Sequence, residues 1–98
     1  MARSKRSQSK HNSQVRKEVK KLEGQGYKLK ADIRGYPQPN TIGGYRPDYV
    51  GTKGKKRIIG EVETNDSVGS QRDQKQQKAF DQAAKRSKNT SFERKVTE

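Results

Sequence analysis

The run Tyr45-Arg46-Pro47-Asp48-Tyr49-Val50, then Gly51-Thr52-Lys53-Gly54-Lys55-Lys56, then Arg57-Ile58-Ile59-Gly60-Glu61-Val62-Glu63-Thr64, decides the fold. The outer pieces hold β-branched and aromatic residues, whereas the middle piece is glycine-bearing and basic with no apolar side chain, so the whole reads as two strands joined by a turn. Pro47 has no N–H to give a ladder and belongs near a strand start, an edge or a bulge. The Ile58-Ile59 pair predicts that the second strand is partly buried on both faces. Glu61 and Glu63 are two residues apart and leave the same face of that strand. Pairing the two strands carries Asp48, thirteen residues before Glu61, toward both glutamates.

Upstream, Tyr27 to Tyr36 alternates, with Tyr27, Leu29, Ala31 and Ile33 on one face and Lys28, Lys30, Asp32 and Arg34 on the other, as in a half-buried strand. Before it, Val15, Val19 and Leu22 recur at helical spacing, predicting a helix over 13–23 that stops at Gly24 and Gly26. Residues 1–12 show no periodicity and read as a disordered basic arm. Gly35 to Gly44 holds two Pro and three Gly and reads as a loop. Downstream of the loop 65–69, Ser70-Gln71-Arg72-Asp73 has capping-box spacing and opens a helix over 70–86, with Gln76, Ala79, Phe80, Ala83 and Ala84 toward the core. Phe92 and Val96 mark a last short strand over 90–96. The order is α-β-β-β-α-β: a small α/β domain over 13–98, a mixed sheet whose first three strands meander and whose fourth joins through the helix crossover, flanked by two helices.

Length and charge bound the function. Ninety-eight residues make one small domain, and the absence of Cys excludes disulfides and thiolate metal sites. No apolar run has membrane-spanning length and none follows the basic N-terminus as in a signal peptide, so a soluble, cytoplasmic protein is expected. Leu, Ile, Val and Phe total 14 of 98 residues, a core small enough to gain from a bound polymer or a second copy. The net charge of +13 attracts phosphodiesters. It is uneven: residues 1–30 carry ten Lys/Arg against two Glu, while residues 31–68 are nearly neutral with six against five. Acids set between basic flanks suit a cation site inside a phosphate-binding surface. The residues expected to touch phosphate are Arg3, Lys5, Arg6, Lys17, Lys20, Lys21, Lys53, Lys55, Lys56 and Arg57.

Asp48, Glu61 and Glu63 offer the hard oxygen ligands that Mg²⁺ or Mn²⁺ takes, with Glu63 also placed to orient water as a base. Acids on a small strand can equally face solvent and offset nearby lysines. Asp32 joins this cluster or pairs with Lys30 or Arg34; Glu18 flanks the stripe of the first helix, where Lys17 and Lys21 are ready partners. Asp66 shapes its loop. His11, in the arm, makes no catalytic set. Tyr27, Tyr36, Tyr45 and Tyr49 stack on bases or fill the core. Gly51 to Lys56 is no phosphate loop of the nucleotide-binding type, because it lacks the spacing and the following helix.

Pro47-Asp48 followed by Glu61-Val62-Glu63, in this element order, resembles the PD-(D/E)-X-K (restriction endonuclease-like) nuclease superfamily over about residues 13–96. The resemblance implies a Mg²⁺-dependent endonuclease with Asp48 and Glu61 as metal-binding carboxylates, DNA ahead of RNA as substrate, and association into a homodimer. Glu63 stands where that superfamily has its catalytic Lys. Some restriction enzymes resemble this chain in having Glu there, and in other branches the following helix supplies the Lys, for which Lys75 and Lys78 are candidates. Gln76 with Phe80 loosely resembles the Gln-x-x-x-Tyr element of one branch, or belongs to a solvated helix face. Two other classes stay open: a non-catalytic basic nucleic-acid-binding protein, architectural or ribosome-associated, and a partner-dependent structural subunit.

Overall fold

In the computed structural model, residues 5–64 and 68–97 are described, the side chains of 5–7 excepted. Helix α1 spans Lys5–Gly24, strand β1 Lys28–Ala31, β2 Tyr49–Lys53, β3 Lys56–Thr64, helix α2 Gln71–Lys85 and strand β4 Thr90–Thr97. The α-β-β-β-α-β order is as expected, and the sheet is mixed, with spatial order β1-β2-β3-β4. The first three strands form an antiparallel meander, and β4 returns parallel to β3 after α2. Among the described residues no helix is long and apolar enough to cross a membrane.

Helix α1 starts eight residues earlier than the apolar stripe suggested, so residues 5–12 are helical and not an irregular arm. The reason lies in its buried face. Val15, Val19 and Leu22 pack with Ala31, Tyr49 and Val62, and His11, one turn before Val15, continues that face into the interior. Arg3 and Asp66 lie outside the described residues.

Strands β1 and β2 are shorter or later than their patterns implied. Ala31, paired with Tyr49, is the last residue of β1; its N–H turns to the Pro37 carbonyl at 2.9 Å. Upstream of Tyr49 and Asp48 stands Pro47, which cannot donate, so β2 begins at Tyr49 and not at Tyr45. At the other end a two-residue turn, Gly54-Lys55, joins Lys53 to its partner Lys56. Gly54 has φ +59° and, among the described residues, no non-glycine residue has positive φ, the II′ pattern that fits the twist of a hairpin.

Strand β3 is central, and its last six residues are buried. Val62 faces α1 within the main core, so Glu61 and Glu63 face the α2 side. On that side Phe80 of α2 meets Phe92 edge-on at 5.7 Å, and Phe92 is in register with the buried Ile59. Ser70 caps α2 by accepting the Asp73 N–H at 3.1 Å. The helix buries Asp73, Gln76 and Phe80; Ala79, Ala83 and Ala84 are only half-buried, because the alanines face its flanks. Strand β4 alternates in partners as well as faces. Glu93 accepts from the Tyr49 hydroxyl at 2.9 Å and Lys95 pairs with Glu18 of α1, while Arg94 bonds Asp73 of α2 at 2.7 Å.

Tyr49 lies flat over Gly60, its register partner, where a Cβ would stand 2.0 Å from the ring. Gly60→Ala is therefore expected to destabilise the domain by about 2–3 kcal/mol through overpacking, read by urea denaturation; Gly24→Ala, where a Cβ meets nothing within 4 Å, is the neutral control.

Candidate functional site

Where β2 begins and β3 ends, three carboxylates meet. Asp48 precedes the first β2 residue, and each of its four polar atoms is held by a different group. Its N–H donates to the Gly60 carbonyl at 3.0 Å, and its carbonyl accepts from the Asp32 N–H at 2.9 Å. Its Oδ2 accepts from the Val62 N–H at 2.7 Å, and its Oδ1 lies 3.0 Å from His11 Nε2. Only 14% of the Asp48 side chain is exposed. The backbone bonds put Asp48 beside Gly60 to Val62, and Glu61 flanks that contact.

Glu61 and Glu63 are 4% and 3% exposed. Burial pushes the Glu61 carboxyl up to about 10, and the charges of Asp48 and Glu63 and a hydrogen bond to Glu63 act in the same direction, against a smaller opposing bond from the Asp48 backbone. Glu61 is thus a neutral acid at pH 7, hydrogen-bonded to Glu63. Its Oε2 is buried and has no hydrogen-bond partner. Such an atom in a cluster of hard oxygen donors is what a small divalent cation would complete. Among the described residues no three His, Asp or Glu side chains are yet arranged to hold a metal ion. The donor set fits Mg²⁺ or Mn²⁺ in type, and ligation by Glu61 requires it to turn from Glu63 and release its proton.

The structure brings together Asp48, Glu61 and Glu63 of the residues singled out in sequence, and adds His11. The signal for His11 was present: it stands four residues before Val15 in the stripe of Val15, Val19 and Leu22. Glu18 is on the α1 side of the sheet, paired with Lys95 at 3.6 Å and not with Lys17 or Lys21. The Asp32 carboxylate accepts from Gln38 Nε2 at 3.0 Å, on an exposed loop; only its backbone reaches Asp48. Gln76 is buried on the sheet-facing side of α2, between Asp73 and Phe80. Lys75 and Lys78 are exposed on the helix face turned from the sheet, so α2 supplies no lysine to the carboxylates.

The basic residues divide. Lys17, Lys20 and Lys21 are exposed on α1, and Lys55 and Lys56 at the hairpin tip. That tip lies about 17 Å along β2 from Asp48, five residues at about 3.3 Å each. Lys53 there donates to the Gln25 carbonyl at 2.7 Å and sits 5.7 Å from the Tyr27 ring centroid, joining the hairpin to the end of α1. Arg57 is half-buried. Lys5 and Arg6 belong to α1. Lys10, beside His11 in sequence, and Arg46, two residues before Asp48, are exposed, with Arg46 donating to the Pro39 carbonyl; neither was singled out in sequence. The tyrosines serve packing: Tyr49 is fully buried, with its hydroxyl raised by burial and by Glu93, and Tyr36 donates to Glu23 at 2.8 Å.

Compared with protein families, curated proteins and solved structures, the chain gives no match.

The raised Glu61 carboxyl makes folding pH-dependent. Unfolded Glu61 loses its proton near pH 4.5, but the folded chain keeps it to about pH 10, so this group removes stability as pH rises between those values. Glu61→Gln, neutral at every pH, is expected to melt higher than the parent chain at pH 8 without divalent ions. A gain of about 1 kcal/mol or more, about 4–8 °C, is expected, and the gap should close toward pH 4. Thermal melts of both proteins across pH 4–9 check this.

Proposed function

We propose that this chain binds nucleic acid and cleaves its phosphodiester backbone with a divalent cation, Mg²⁺ or Mn²⁺, held by carboxylates: a metal-dependent endonuclease of the PD-(D/E)-X-K type. The observation that carries the reading is the convergence of Asp48, Glu61 and Glu63 in a chain of net charge +13. Two of these acids are buried in a basic protein. An arrangement that disfavours its own ionisation gains most from a cation.

Asp48 and Glu61 are the residues that would hold the ion. When bound, it supplies Lewis-acid polarisation of the phosphodiester and activation of water. Asp48 enters that role already oriented. Glu63 takes a proton from Glu61 or from attacking water through its carboxylate. The exposed Lys10 and Arg46, and the exposed lysines of α1 and the hairpin tip, would meet phosphates along the strand. DNA is the preferred polymer on the superfamily likeness. A pair of copies would extend the basic surface.

A second reading is favoured by one observation. With Glu63 in place of a lysine and Lys75 and Lys78 turned outward, no lysine ammonium from β3 or α2 stands at the carboxylates. A chain of this kind could bind nucleic acid without cutting it.

Plasmid, single-stranded DNA and RNA, each incubated with Mg²⁺, Mn²⁺ or EDTA, separate the two. Divalent-dependent cleavage is expected, abolished in Asp48→Ala and Glu61→Ala while binding is kept, since Asp48→Ala removes a negative charge and Glu61→Ala a buried neutral acid, and neither removes a phosphate contact. Binding without cleavage on every substrate would establish the second reading in its place.

A further inference from the structure

Resting on the cation site proposed above, we infer that His11 is a positioning residue of that site, fixing the Asp48 carboxylate through Oδ1. The geometry is specific. His11 is 3% exposed, and its Nε2 lies 3.0 Å from Asp48 Oδ1, a close polar contact without the alignment of a hydrogen bond. Its other nitrogen, Nδ1, is 3.0 Å from Asn12 Oδ1, which also accepts from Gln8 Nε2 at 2.9 Å. A chain of side chains along the first turns of α1 therefore sets the ring, and the ring sets the carboxylate.

The Asp48 side chain has two χ angles, and the Val62 N–H restrains only Oδ2. The second restraint, on Oδ1, comes from a side chain in another element, thirty-seven residues away in sequence. Backbone bonds fix where Asp48 stands; His11 fixes how its carboxylate is turned. Each carboxylate oxygen keeps a further lone pair after these bonds, so the restraint leaves Asp48 able to ligate. Orienting partners of this sort hold first ligands in the productive rotamer, and their loss typically weakens metal affinity about 10–100-fold. The arrangement also explains why α1 is helical as far back as Lys5: the turns that carry Gln8, His11 and Asn12 are part of the site's support.

Mn²⁺ titration of the full chain, with His11→Ala, His11→Gln and Asp48→Ala, tests the inference. Gln places an N–H donor near the position of Nε2. His11→Ala is expected to bind Mn²⁺ about 10–100-fold more weakly, His11→Gln to stay within about 3-fold of the parent, and Asp48→Ala to lose binding. Each is read well below its own melting temperature, with circular dichroism confirming α1. Because the chain has one His, its ring nitrogens give a single set of ¹⁵N signals. An Nε2 resonance that moves in Asp48→Ala is the signature expected of the contact itself. Unchanged Mn²⁺ affinity in His11→Ala, equal loss in His11→Ala and His11→Gln, or an Nε2 signal indifferent to Asp48 would overturn the positioning role alone. A parent chain that binds no Mn²⁺, or binds it equally well as Asp48→Ala, would overturn the cation site and this inference with it.

Discussion

A central strand that must bury two glutamates is the constraint on which this structure turns. Strand β3 is paired on both sides, antiparallel to β2 and parallel to β4, and covered by α1 on one face and α2 on the other. Val62 satisfies that environment; Glu61 and Glu63, on its other face, do not. Burial raises the Glu61 carboxyl to about 10, and the neighbouring charges of Asp48 and Glu63 add to it. In a lean core this is stability given up at neutral pH.

The remaining elements make that site rigid. Tyr49 over Gly60 locks β2 to β3 in one register, and the Tyr49 hydroxyl reaches β4 through Glu93. Asp48, the next residue upstream, inherits the precision of this contact. Its backbone is tied to β3 and to the turn after β1, and its carboxylate to β3 and α1. On the other face the Arg94–Asp73 pair and the Phe80–Phe92 contact hold α2 over the glutamates. The basic hairpin tip, by contrast, is remote from the acids, so phosphate contact there would act through the length of a polymer and not on a small substrate.

Much of this was legible residue by residue. The Ile58 to Thr64 run announced a strand buried on both faces, and Ser70 to Asp73 announced the cap of α2. The two-residue spacing of Glu61 and Glu63 put them on one face. What was misread shares one cause: local pattern cannot weigh a distant partner. Residues 5–12 lack an apolar period, yet they are helical, and His11 within them finds Asp48. The alternation of Tyr27 to Ile33 continues past Ala31, yet the ladder stops there because Pro47 gives its neighbour nothing to pair with. Lys75 and Lys78 were candidates by proximity in sequence, and the phase of α2, set by Phe80 and Gln76, turns them outward.

The chain alone determined the element order, the class of fold, the hairpin that joins Asp48 to Glu61, and an excess of cations. These follow from periodicity, turn chemistry and charge, all properties of neighbouring residues. Tertiary structure alone decided that the glutamates are buried, that burial raises the Glu61 carboxyl, that Glu18 and Asp32 have other partners, and that a histidine from the first helix meets the aspartate. Those outcomes depend on which surfaces are shut from water and which groups meet across the sheet. Side-chain electrostatics is set by that enclosure, and no reading of adjacent residues contains it.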